Sequence, residues 1–208
     1  YYLAREKNVD IDTVKTLVEA YPQSLGDFDD MVDDMSFVPP IHVIVSNKNI
    51  KIDDLYGIIT FFIQQSSQIM RMRDTMNSTP LHKFCMNERL TLELFQLVFN
   101  AWPEAIRSRD NGANLPIHEL CCNEQLDDTA SLDILRFMLS VDPTVLRETG
   151  EDGYLPAHDA VAWKSFAFCK KIIDEYPESM RIGTNYRQLP IHEACQLGSR
   201  DDKVDTIE

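Results

Sequence analysis

The 208-residue sequence has no apolar run long enough to cross a bilayer. Its longest, around 58–63, falls far short of the roughly 18 residues that a spanning helix takes. Basic residues are scarce: Lys and Arg number 20 against 34 Asp and Glu, a formal charge of −14. That balance repels phosphate backbones and sets aside a general nucleic-acid binder. Glycines number only seven, and no Gly-rich loop that would cradle a phosphate occurs. Gly-x-Ser-x-Gly and His-Glu-x-x-His are missing as well, so the common hydrolase and zinc-protease signatures are excluded. The five cysteines are odd in number and scattered, which fits a reducing intracellular compartment better than a disulfide framework. The chain begins at Tyr1, so an N-terminal targeting segment is not readable. What remains is 44% apolar and 26% charged, the balance of a folded domain with a sizeable core.

The five histidines carry the organisation. Each follows a proline by two residues, in Pro40-Ile41-His42, Pro80-Leu81-His82, Pro116-Ile117-His118, Pro156-Ala157-His158 and Pro190-Ile191-His192. Their spacings are 40, 36, 40 and 34, a period that marks a repeat array. A second register agrees. Arg71, Arg107, Arg147 and Arg181 each precede the next histidine by eleven residues, and Ser67, Pro103, Pro143 and Pro177 stand four residues before them. In the first unit Pro22 lies twenty residues before His42, where the later prolines lie fifteen before theirs. About five extra residues therefore fall in 27–36.

Each unit reads as two helices and a turn. Proline suits the first helical position, where its missing N–H would be unpaired anyway. The second helix shows a 3.6-residue apolar period, as in Leu55, Ile58, Ile59 and Phe62, or Phe166, Cys169, Ile172 and Ile173. Proline then stops it, and turn residues such as Asp110-Asn111-Gly112 follow. Neither helix buries its stripe alone, so the expected architecture is an all-α solenoid in which neighbours bury it together.

Thr79-Pro80-Leu81-His82 and Leu189-Pro190-Ile191-His192-Glu193-Ala194-Cys195 carry a resemblance to ankyrin repeats. The second form is similar to the variant found in large ankyrin families of diatom-type algae. The resemblance covers nearly the whole chain and implies one array over 1–208 with long repeats of 34–40 residues. Their approximate bounds are 1–36, 37–76, 77–112, 113–152, 153–186 and a partial 187–208. Residues 1–8 read as the end of a first helix and 203–208 as the start of a second, which implies a piece of a longer array. Only Thr79 keeps the family threonine. Where Pro39, Leu115, Leu155 and Leu189 replace it, the histidine is expected to bond the backbone of the adjacent turn.

Several groups of side chains bear on chemistry. His82 with Cys85, His118 with Cys121 and His192 with Cys195 share helix faces, but each pair lacks two ligands of a zinc site, so no metal or other cofactor and no catalytic residue is assigned. The acidic insertion holds Asp27, Asp29, Asp30, Asp33 and Asp34. It reads either as a solvated loop or helix extension, or as a contact for a basic partner. Trp163 reads either as an exposed anchor or as packing beneath the junction before Phe166.

The resemblance implies a non-catalytic protein–protein interaction module, a scaffold or adaptor that binds on the concave face of the stack. Contacts of this family come from turn tips and the exposed side of the first helix. The matching tips are Met76, Asn77, Asn111, Ala113, Asp152, Tyr154, Tyr186 and Arg187, and the matching helix positions are Met86, Asn87, Cys122, Asn123, Trp163 and Gln196. The charge implies a protein partner with a basic or mixed surface, neither nucleic acid nor a membrane span. Two other classes stay open: a structural accessory subunit of a large assembly, and a metal enzyme using the His-x-x-Cys pairs.

Overall fold

The computed structural model describes residues 9–21, 25 and 38–197. The acidic insertion with Asp27, Asp29, Asp30, Asp33 and Asp34, and the half-helices expected at 1–8 and 203–208, lie outside the described residues. Those described form ten α-helices and no strand. They are α1 (Ile11–Ala20), α2 (Pro40–Ser46), α3 (Ile52–Gln65), α4 (Pro80–Cys85), α5 (Leu92–Ala101), α6 (Pro116–Cys122), α7 (Asp128–Val141), α8 (Pro156–Trp163), α9 (Phe166–Glu175) and α10 (Pro190–Leu197). None of them is long and apolar enough to cross a membrane.

Local chemistry explains the boundaries. Every even-numbered helix opens on its proline. Three of the odd-numbered helices, α1, α5 and α7, open on side-chain caps: Asp10 accepts from the Thr13 N–H, Thr91 from Leu94, and Asp127 from Thr129 and Ala130, while α3 and α9 open without one. Pro103, Pro143 and Pro177 end α5, α7 and α9, each starting a one-turn 3-10 segment that finishes at Arg107, Arg147 or Arg181. The short helices α2, α4, α6, α8 and α10 pack in sequence as one row, and the odd-numbered helices form a second row behind it. Ile41, Leu81, Ile117 and Ala157, each one residue before its histidine, are fully buried between the rows. Ile191 holds the same position on α10 and is 61% exposed, since no described helix follows it.

One expected face needs correction. Phe166 is 74% exposed, and α9 buries Phe168 in its place beside the expected Ile172, with Cys169 and Ile173 half-buried. The two are one turn apart, and their stripe faces α7 and α8, which turns the first helical residue to solvent.

The histidines couple the units. His82 Nδ1 accepts from both the N–H and the hydroxyl of Thr79, at 3.1 and 2.8 Å. His118, His158 and His192 accept in the same way from the N–H groups of Leu115, Leu155 and Leu189. With Nδ1 accepting, Nε2 carries the proton. It donates forward to the loop before the next short helix: His42 to the Ser78 carbonyl, His82 to Asn114 and His158 to Gln188, at 2.8, 3.1 and 3.1 Å. So the lost threonines matter little, because the histidine takes a main-chain donor that any residue except proline supplies. Pro39 is that exception, and His42 Nδ1 is buried without a partner.

The arginines form a second tie. Arg71 lies over the Trp102 ring, Arg147 over Tyr176, and Arg107 pairs with Asp142 at 2.6 Å. In each case the partner is the residue just before the next helix-stopping proline.

Pro39→Thr gives His42 both missing donors, as Thr79 does for His82. A satisfied buried acceptor recovers roughly 1–3 kcal/mol, against about 0.4–1 kcal/mol for the lost proline rigidity. The variant should melt higher than the parent in urea or heat. An unchanged or lower midpoint would contradict this account of His42.

Candidate functional site

The turns between units share one design. Asp74 Oδ1 accepts from the N–H groups of Met76 and Ser78, Asp110 from Gly112 and Asn114, and the Thr184 hydroxyl from Tyr186 and Gln188. Each loop closes with Asn77, Ala113, Gly153 or Arg187 in the left-handed region, at φ 58, 60, 80 and 61°, and Asp152 joins them at 53°. In the third turn Gly150 stands where the others have Asp or Thr. Asn114 of the preceding unit fills the gap, its Oδ1 accepting from the Glu151 N–H. A Cβ at Gly150 would collide with that oxygen, so a larger residue there would push the Asn114 side chain aside.

These turns are stitched side by side. Arg73 bridges the carbonyls of Asn77 and Arg109, and Arg109 bridges those of Ala113 and Thr149. Asn77 Nδ2 donates to the Arg109 carbonyl, Asn111 N–H to Met76, and Asn185 N–H to Asp152. The tip side chains of Met76, Asn111, Asp152, Tyr186 and Arg187 are exposed, while Asn77, Ala113 and Tyr154 are half-buried.

On the short helices the expected contact positions divide. Met86, Cys122 and Gln196 are exposed, and Trp163, the last residue of α8, is half-buried. Asn123 is buried and is a correction to the contact set: its Nδ2 donates to the Cys85 carbonyl and its Oδ1 accepts from Gln125 and Leu126. Asn87 does the same work, donating to the Val45 carbonyl at 2.6 Å and accepting from Arg89. Both close the end of the preceding short helix and face the stack, not solvent. Asn47, Asn87 and Asn123 each stand five residues after a histidine, a register visible in the sequence but overlooked beside the stronger Pro-x-His signal. Trp163 breaks the register, and there Lys164 reaches across to the Asn123 carbonyl and the Ser131 hydroxyl.

A cleft among the described residues has the shape of a site, and its residues do not stand out in the sequence. Glu119, Asp159 and Glu193 each follow a histidine directly, so successive short helices present a row of acids. Between α6, α8 and the turn at Glu151–Gly153 lies a cleft of about 350 Å³, lined by Asn114, His118, Glu119, Cys122, Tyr154 and Asp159 among others. Tyr154 donates to Glu193 at 2.8 Å, and burial together with that bond pushes its hydroxyl up to about 12. Burial, reinforced by Asp110, raises Glu119 to about 7. Burial raises Asp159 to about 7 as well, with Glu119 and Glu193 adding to it and a hydrogen bond from the Cys122 thiol opposing. Although a histidine and the acid directly after it do not face each other on a helix, the acids of successive units act on one another.

The metal-type pairs do not assemble. His82 Nδ1 and Nε2 are both spent in hydrogen bonds, and burial drives the Cys85 and Cys121 thiols far above their usual range. Among the described residues no three His, Cys, Asp or Glu side chains converge on an ion-sized site, and all five cysteines are free. No family model matches the chain, and no curated protein matches it.

The titrating groups set opposite pH trends. Burial lowers His42 and His118 to about 4 and lowers His82 and His158 too, from an ordinary 6.5. The unfolded chain therefore binds more protons than the folded one as pH falls from about 6.5 to about 4, and stability is lost over that window. Glu119 and Asp159 hold protons in the fold up to about 7 but in the unfolded chain only to about 4, so their cost to the fold builds as pH rises from about 4 to about 7 and stands in full above that. Glu119→Gln with Asp159→Asn should melt above the parent at pH 8, by roughly 2–4 °C for each kcal/mol recovered, and the gap should narrow at pH 5 and close only below about pH 4. Parallel thermal melts at the two pH values check this; a gap independent of pH would contradict it.

Proposed function

We propose that the chain is an ankyrin-type repeat array of about five units and that it is a non-catalytic protein–protein interaction module. Its binding face is the side carrying the turn tips and the exposed edge of the short helices. The observation that carries this reading is the continuous acidic face formed by Glu119, Asp159 and Glu193 beside a row of stitched turns. The turns are held by main-chain bonds between neighbouring units, so little ordering entropy is lost when a partner docks. Exposed Met76, Met86 and Tyr186 supply apolar contacts among the charges. An acidic face of this kind selects a partner with a basic or mixed surface and makes association sensitive to salt. A scaffold or adaptor role follows from such a surface, and a fixed subunit of a large assembly is the alternative outcome of the test.

The test is capture of partners from the source cells by the whole protein, at low and high salt. The parent is compared with Met76→Ala/Met86→Ala/Tyr186→Ala and with Tyr56→Ala/Val141→Ala, which alters the exposed long-helix row. The first variant should recover at least about ten-fold less of each partner, with the second unchanged and binding weaker at high salt. A partner set that survives high salt and the first variant but is lost with the second would place binding on the other row and overturn the reading.

A further inference from the structure

Arg107 and Arg109 leave one extended segment on the same side, and together they hold Glu148 of the following unit, at 3.2 and 2.5 Å. The Arg109 head is fixed in place by its own backbone contacts. Its Nη1 donates to the Ala113 and Thr149 carbonyls, and its Nη2 is left for the carboxylate. Glu148 directly follows Arg147 on extended backbone, at φ −82° and ψ 131°. Its side chain therefore points back to the preceding unit, where that of Arg147 points forward.

The junction before repeats this arrangement with one part changed. Arg71 and Arg73 are the counterparts of Arg107 and Arg109, 36 residues earlier, and both are exposed. Arg73 Nη1 donates to the Asn77 and Arg109 carbonyls at 2.8 and 3.1 Å, the same pair of bonds that Arg109 makes one unit on. Arg71 lies over the Trp102 ring. In the place of Glu148, directly after Arg107, stands Ser108, on the same extended backbone at φ −68° and ψ 137°. Ser108 is half-buried, and among the described residues its hydroxyl makes no hydrogen bond. Among the same residues Arg73 Nη2 has no acceptor, and neither Arg71 nor Arg73 has an acid partner. A clamp that closes on a carboxylate at one junction is thus held open opposite a serine at the other.

We propose that Ser108 is a phosphorylation site whose phosphate docks between Arg71 and Arg73 and ties the two units together. The Ser108 Oγ attacks the terminal phosphorus of a nucleoside triphosphate supplied by a protein kinase. The new O–P bond forms as the bond to the leaving diphosphate breaks, and the hydroxyl proton passes to a base of the kinase. Phosphoserine carries its terminal oxygens as many bonds from Cα as glutamate does, so the phosphate reaches where the Glu148 carboxylate reaches. It brings a charge of about −1.5 to −2 and three acceptor oxygens, which suit the planar fork of arginine. Two carbonyls already hold the Arg73 head, so little side-chain freedom is lost when the phosphate arrives.

Mass spectrometry of the protein isolated from its source cells under phosphatase inhibition should find phosphate on Ser108. In protein made with phosphoserine at 108, the phosphorus NMR titration should give a second pKa about one unit below its ordinary value near 6. The melting midpoint should rise by roughly 2–4 °C. Arg71→Ala/Arg73→Ala should abolish both changes, each read against the same variant with unmodified serine. Ser108→Glu should raise the midpoint of the parent and leave that of the arginine variant unmoved. If the arginine variant does not fold, the mass measurement and the titration of the phosphorylated parent still decide. An unmodified Ser108 in the cells, a phosphate that titrates at its ordinary value, or changes that persist without the arginines would overturn the proposal.

Discussion

In α4 and α8 the stack depends on an imidazole that works in two directions at once, and the other short helices keep one half of that tie. It accepts from the main chain at the start of its own helix and donates to the carbonyl in front of the next. Both bonds are buried, so breaking one strands a polar group on each side, which costs more than the net gain of forming it. Because the donor at the helix start is the backbone, the tie tolerates leucine where threonine stands elsewhere and fails only at proline. The same imidazole must stay neutral to accept, which is why burial and function of the tie go together. Acidification acts directly on the joint between units.

Around that tie the remaining polar groups take up fixed posts. Arg71, Arg107 and Arg147, each at the end of a 3-10 turn, meet the residue before the next stop, be it an indole, a carboxylate or a phenol ring. Asparagine five residues after the histidine closes the end of the preceding helix. Once these posts are filled, the position directly after the histidine is the one left looking outward. Nothing in the packing dictates its identity, and it is there that Lys83, Glu119, Asp159 and Glu193 stand. The acidic chemistry of the row comes at a cost in stability, because the half-buried Glu119 and Asp159 ionise only against their desolvation.

Much of the fold was legible because it repeats. Five prolines in one register marked five helix starts, and three prolines and a serine marked the ends of the long helices. The errors fell where a residue's environment is supplied by a different unit. Asn87 and Asn123 sit on what a single helix shows as its open side, yet the preceding unit covers them. Phe166 has the right spacing for the core stripe, but the neighbouring helices meet the stripe through Phe168. Periodicity describes one helix at a time, and these residues answer to two.

The sequence by itself determined the all-helical composition, the helix starts and stops, and the identity of the linking histidines and arginines, because each follows from local backbone chemistry repeated at a fixed interval. Only the tertiary structure decided which outward side chains share a cleft. Glu119, Asp159 and Glu193 are 40 and 34 residues apart in the chain, and they form one face because the short helices stack in order. That adjacency sets their burial and mutual repulsion, and neither quantity exists until the helices have packed.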